Sequence, residues 1–255
     1  TLVRGPLWAM RSLVSRAGVF LALFRAAAAC VCVASPGNLS TTLPNVLLVG
    51  DSISANGTGY LAHVQSQLEG LAHVLPCGGV ADNGALENKG LCGTSFGVDE
   101  CAGDWLLNGK WDVIHLNWGL HDIDAKLYAP VALEDYVANL ESIIQTLKGS
   151  LKPGGSLVWA STTPVPPSYQ SRNDSDVVLI NAAAAALLQS DCCRDVVFGA
   201  DLYARVVERC GRDAESAGYP ATSDCAYLQD NGVHFSDLGR RFTGLLVAAA
   251  IAPRL

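Results

Sequence analysis

The sequence predicts an α/β fold, with a mostly parallel central sheet and helices on both faces. Two observations predict it. Short, continuously apolar runs that stop at glycine or a polar loop alternate along the chain with longer segments carrying apolar residues at helical spacing. The runs lack the in-out alternation of a half-exposed strand, which is the pattern of strands covered on both sides. Strands that alternate with helices build crossover units, and these stack into a parallel sheet. No internal repeat is present.

The elements follow in order. Val46-Leu47-Leu48-Val49, ended by Gly50, reads as a buried parallel strand, and a helix is expected from about Tyr60 to Leu68. Residues 76–104 are rich in Gly, Cys and Asn and carry little periodicity, which predicts a long functional loop stapled by disulfides. Val113 to Trp118 reads as a strand stopped at Gly119. Leu133 to Leu147 has Val137, Leu140, Ile143, Ile144 and Leu147 at helical spacing and ends in Lys-Gly. Pro153-Gly154-Gly155 predicts a turn, Ser156 to Ser161 a strand, and Thr162 to Asn173 a Pro-rich loop. Residues 174–190 form an Ala- and Leu-rich helix, Asp195 to Phe198 a strand, and Ser236 to Ala250 a last helix with Gly244 inside it.

These elements place one domain over residues 45–252, behind a Ser/Thr/Pro/Gly-rich linker at 35–44 and an N-terminal segment at 1–34. The N-terminal segment has the order of a signal peptide starting at Met10: Arg11 and Arg16, then an apolar stretch from Ala17 to Ala34 broken by Arg25, then small residues and Ser35-Pro36-Gly37. An uncleaved signal anchor and a buried N-terminal helix are the rival readings. The expected location is therefore secreted or lumenal, with no stable membrane span after cleavage. Asn38, Asn56 and Asn173 begin Asn-x-Ser/Thr triplets, which fit that location and a glycoprotein. Asn56 lies so close to Ser52 that a glycan there would crowd the cleft.

Half the residues are hydrophobic and 16% are charged, enough to bury a large core. The net charge of -7, with no basic block, argues against a nucleic-acid partner, because phosphate binding needs concentrated positive charge. Of nine cysteines, Cys30 and Cys32 fall in the N-terminal segment. Cys77, Cys92, Cys101, Cys192, Cys193, Cys210 and Cys225 remain, and in an oxidising compartment most would pair; Cys92 with Cys101 and Cys210 with Cys225 are local options. No paired C-x-x-C spacing points to zinc.

In an open parallel sheet, ligands bind beyond the carboxyl ends of the strands. Three loops there carry chemistry. Gly50-Asp51-Ser52 follows the first strand; a serine opening a helix would sit among free backbone N–H groups, although the same residue also suits a plain cap. Asn117-Trp118-Gly119-Leu120-His121-Asp122 follows the central strand, where Asn117 and His121 can each donate to a developing oxyanion, while Asp122 or Asp124 suits a helix cap. Asp230-Asn231-Gly232-Val233-His234-Phe235-Ser236 precedes the last helix and can aim His234 into the same cleft. Each loop alone has a bland explanation. Together they supply a nucleophile, a base and oxyanion donors, the set that serine catalysis requires. His63, His73 and His115 read as structural. Trp105, Trp111 and Trp118 read as core and cleft wall, and Trp118 and Trp159 are options for lining a substrate site.

Over roughly residues 45–250 the chain resembles the SGNH (GDSL) hydrolase family. Gly50-Asp51-Ser52 resembles its first motif block, Lys110 to Asp122 its third, and Asn231 to Gly239 its fifth. The resemblance implies a flavodoxin-like three-layer sandwich and a cofactor-free, metal-free ester hydrolase. Ser52 would be the nucleophile and His234 the base. Backbone N–H groups of Ser52 and Gly79 (with Gly84 as the alternative glycine) would form the oxyanion hole with His121 or Asn117. Asp51, Trp118 and Gly119 would border the substrate. The sequence departs from the family pattern twice. His121 stands where the third block has Asn, and Asn231 stands three residues before the base where the fifth block has Asp, with Asp230 one residue earlier. Either Asp230 or Asn231 would orient His234. The implied substrate is a small-molecule or carbohydrate ester, with small O-acyl groups ahead of lipid chains. A lipase or thioesterase of the same family and a catalytically weak binding protein are the alternatives.

Overall fold

Apolar runs with no polar face can only be satisfied in the middle of a sheet, and there the structure puts them. It is a computed structural model that describes residues 38–54, 57–76, 110–126, 130–166, 171–210 and 232–255. The N-terminal segment, most of the 76–104 loop, Asn56, Gly79, Gly84, Asp230 and Asn231 lie outside the described residues.

Five parallel strands lie in the order β2-β1-β3-β4-β5: β1 Asn45–Gly50, β2 His73–Pro76, β3 Trp111–Asn117, β4 Leu151–Ala160 and β5 Val197–Ala200. The helices are α1 Leu61–Gln67, α2 Leu133–Lys148, α3 Asp174–Leu188, α4 Leu202–Arg209 and α5 Asp237–Ile251, with a 3₁₀ turn at Ala252–Arg254. From β1 the chain crosses through α1 to β2 on one side. From β3 it crosses through α2 and α3 to β4 and β5 on the other. Right-handed crossovers in opposite directions put their helices on opposite faces. Accordingly α1 packs on α5, and α2 packs on α3. The expected α/β architecture is the observed one. Val46, Leu47, Leu48 and Val49 of β1 are all buried, as are Val113, Ile114 and Leu116 of β3.

The elements differ from the sequence expectation in three places, each with a local cause. Strand β2 goes unread because it is four residues long and contains a proline. It is an edge strand bonded only to β1, where a missing N–H is tolerated. Helix α4 is a short amphipathic piece started by the Asp201 side chain, which accepts from the Ala204 N–H at 3.0 Å. Pro153-Gly154-Gly155 is a bulge inside β4 rather than a turn ahead of it: Trp111 pairs with Leu151, but Val113 pairs with Ser156. Gly154 has φ +82°, and a Cβ on Gly155 would lie 2.9 Å from the Trp111 carbonyl oxygen, so both glycines are required. Gly244 serves a different purpose: a Cβ there would lie 2.6 Å from Cβ of His63, so its absence lets α5 close on α1.

Among the described cysteines, Cys192 and Cys193 are bonded to each other, and Cys210 is also disulfide-bonded. The expected Cys92–Cys101 pair and the Cys225 partner fall outside the described residues. No described helix is long and apolar enough to cross a membrane.

His115, at the centre of β3, is fully buried and touches Tyr60 edge-on, and neither ring nitrogen has a hydrogen-bond partner. Burial pushes its pKa down from 6.5 to about 3. The unfolded chain therefore binds a proton at this site that the folded chain refuses across that window. Stability is complete above pH 6.5 and falls as pH drops toward 3, by up to about 1.4 kcal/mol per pH unit from this group. In urea melts at pH 7 and pH 4, His115→Leu is expected to lose less stability than the wild type. Equal losses would contradict this assignment.

Candidate active site

The strand order reverses between β1 and β3, so the loops leaving these two strands open a crevice side by side. The first of these loops is a tight turn. The Ser54 N–H donates to the Asp51 carbonyl at 2.9 Å, the Ser54 hydroxyl to the same oxygen at 2.8 Å, and the Ile53 N–H to Asp51 Oδ1 at 2.9 Å. The Thr58 hydroxyl holds the Ser52 carbonyl at 3.0 Å. Ser52 is thus presented by a braced turn, well before α1 begins at Leu61 and not at its first residues as expected. Gly50 makes room for the turn: a Cβ there would lie 2.2 Å from Ser54 Oγ and 2.6 Å from the Asn117 carbonyl.

His234 arrives from the far end of the chain. Its Nε2 lies 2.8 Å from Ser52 Oγ, across 182 residues of sequence, and both side chains are only partly buried. Two residues on, the Ser236 hydroxyl accepts from the Gly239 N–H at 3.2 Å and caps α5, which anchors the backbone that carries the imidazole. A serine hydroxyl bonded to a histidine nitrogen is the contact by which a base activates a nucleophile.

The loop after β3 supplies a second imidazole. The carboxylates of Asp51 and Asp124, the Arg172 guanidinium and the His234 imidazole all act on His121. Burial is the largest influence and holds His121 below the ordinary histidine pKa. Arg172 and His234 add to that effect, and Asp51 and Asp124 oppose it. A neutral imidazole keeps one N–H to donate.

The other expected site residues have different duties. Asn117 Nδ2 donates to the carbonyls of Ala160 at 3.1 Å and Ser161 at 2.8 Å, which uses both its N–H bonds and ties β3 to the end of β4. Both side-chain N–H bonds of Asn117 are thereby engaged within the sheet. Asp51 is 2% exposed and braces the turn that carries Ser52. Trp118 and Gly119 are buried as well. The Trp118 carbonyl accepts from the Thr162 hydroxyl at 2.6 Å, and Thr162 is held in turn by Asn181 through its N–H at 2.8 Å and its carbonyl at 2.9 Å.

One residue of the site was missed altogether. Arg172, from the Pro-rich loop before α3, forms an ion pair of 2.7 Å with Asp124, and both side chains are 5% exposed. Its Nε donates to the Leu120 carbonyl at 2.6 Å. Nothing in local sequence links Arg172 to a loop some fifty residues earlier. The available hint is an arginine isolated among prolines and polar residues directly ahead of a helix.

No family model and no curated protein matches the sequence. Solved structures do match in fold. A lipase/acylhydrolase from Enterococcus faecalis superposes with a TM-score of 0.61 at 17% identity, over 83% of this chain and 97% of that one. A putative GDSL-like lipase from Parabacteroides merdae gives 0.61 at 17%, over 84% and 98%. Axe2, an acetylxylan esterase from Geobacillus stearothermophilus, gives 0.55 at 16%, over 83% and 93%. The chain therefore has the fold of the SGNH/GDSL hydrolases, as its motif blocks imply.

Gly119 joins the two halves of the site. Its φ is +141°, and a Cβ would lie 2.4 Å from Thr162 Oγ1 and 2.7 Å from Ile180 Cδ1. Gly119→Ala is expected to cost about 1–3 kcal/mol in a denaturant melt, from backbone strain and overpacking together. A neutral result would show that the turn relaxes freely.

Proposed function

We propose that this chain is a serine ester hydrolase working through an acyl-enzyme on Ser52. The 2.8 Å contact between Ser52 Oγ and His234 Nε2 carries the reading. His234 takes the hydroxyl proton as Oγ attacks the ester carbonyl. The oxyanion is stabilised by the Ser52 backbone N–H and the His121 imidazole N–H, with Gly79 as a further donor. The tetrahedral adduct collapses, and the leaving alcohol takes the proton from His234. Water, deprotonated by the same imidazole, then attacks the acyl-enzyme and frees the acid. No step calls on a cofactor. Asp230 or Asn231 is the residue that orients His234 in this scheme.

The substrate class we favour is a small O-acyl ester, such as an acetyl group on a carbohydrate. The acetylxylan esterase among the structures of the same fold supports it. We also place the protein in the secretory pathway. Asn38 and Asn173, which begin glycosylation triplets, are both exposed.

A fluorophosphonate probe is expected to label the folded wild type on Ser52 and to leave Ser52→Ala unlabelled. Lack of labelling in both would remove the enzyme reading and favour a binding protein on this fold. With p-nitrophenyl esters, acetyl is expected to exceed octanoyl in kcat/KM by about tenfold or more, and the reverse order would point to a lipase or thioesterase. His121→Ala should lower kcat by about 10²–10³-fold, the cost of one oxyanion donor. Unchanged turnover would remove His121 from the mechanism.

A further inference from the structure

The buried Arg172–Asp124 pair calls for an explanation that packing does not provide. Two charges with side chains 5% exposed pay heavily in lost hydration, and apolar residues of similar volume would fill the same space without that penalty. The pair is also placed around one residue. Arg172 grips the Leu120 carbonyl at 2.6 Å and the Asp124 carboxylate at 2.7 Å, which lie on either side of His121. A second strap runs alongside, from the Ala125 N–H to the Ser171 carbonyl at 2.9 Å. Within the loop, the Asp122 N–H donates to the Gly119 carbonyl at 3.0 Å, and Asp124 Oδ1 accepts from the Lys126 N–H at 2.9 Å. The guanidinium is a planar fork, so it fixes direction as well as distance, which a lysine ammonium cannot do.

We propose that Arg172 is a positioning residue. Clamped on Leu120 and Asp124, it holds the turn carrying His121 in register with Ser52 and His234. The inference rests on the ester-hydrolase reading of this site and deepens it.

The clamp also acts through charge. The charged groups that act on His121 come from four segments: Asp51 from the nucleophile turn, Asp124 from its own loop, Arg172 from the loop before α3, and His234 from the loop before α5. Arg172 opposes the two carboxylates and so adds to burial, the largest influence, in favouring the neutral form of His121. A protonated His121 would face His234 just as that imidazole takes up the Ser52 proton.

The geometric and electrostatic roles separate in a variant set assayed with p-nitrophenyl acetate across pH. Arg172→Lys keeps the cation and loses the fork. Its kcat is expected to fall about tenfold or more, with KM within about threefold and the acid limb unmoved. Arg172→Met loses both, so its acid limb should also move to higher pH. In a His121→Asn background, Arg172→Met should leave the acid limb in place, because no imidazole remains at 121 to titrate. If Arg172→Met does not melt cooperatively, Arg172→Lys still reads the split between kcat and KM. Wild-type kcat and pH profile in both Arg172 variants would overturn the inference and leave the enzyme reading intact. A fall in kcat with the same change in acid limb in both backgrounds would reduce Arg172 to a structural role and overturn it as well. A wild type that neither hydrolyses the ester nor takes a fluorophosphonate would instead remove the underlying reading.

Discussion

The reversal of strand order between β1 and β3 governs everything else in this molecule. Because β2 lies on one side of β1 and β3 on the other, the chain leaves the carboxyl ends of β1 and β3 toward opposite faces of the sheet. The gap between them is wide enough for a turn that exposes a hydroxyl, and close enough that Gly50 cannot carry a side chain. The Asn117 amide then closes the next seam by bonding the end of β4. Strand order decides the location of the crevice, and hydrogen bonds to backbone carbonyls decide its shape.

Much of this was legible in the sequence because it depended on near neighbours. The buried runs of β1 and β3, the apolar stripe of α2 and the start of α5 each announce themselves within a dozen residues. Ser52 and His234 were legible as a pair for a different reason: each closes a short motif after a strand or before a helix, and the sheet rule says where such loops gather. What escaped depended on distant partners or on small size. Arg172 becomes part of the site only through a carboxylate and a carbonyl far away in sequence. Asn117 had the right chemistry for an oxyanion donor, but tertiary contacts had already engaged both its N–H bonds. Strand β2 and helix α4 are too short for periodicity to register, and β4 hides a bulge behind residues that normally make turns.

The site also shows how a departure from a motif can be accommodated. An asparagine amide has no charge to manage, whereas an imidazole does. Here His121 is set among two carboxylates, a guanidinium and a second imidazole, and burial tips the balance toward its neutral form. The ion pair next to it has the high desolvation cost typical of buried charges. Such a cost is tolerated more readily where it maintains a geometry than where it merely fills space.

The wide separation of Ser52 and His234 along the chain has a consequence for biogenesis. Domains form as synthesis proceeds from the amino end, and the residue bearing the hydroxyl leaves the ribosome long before the one bearing the imidazole. Helix α5 has to seat against α1, α4, β4 and β5 before the two meet. A nascent product that ends before residue 234 holds the Ser52 hydroxyl without its imidazole partner, and one that ends between residue 234 and α5 lacks the helix that anchors that imidazole.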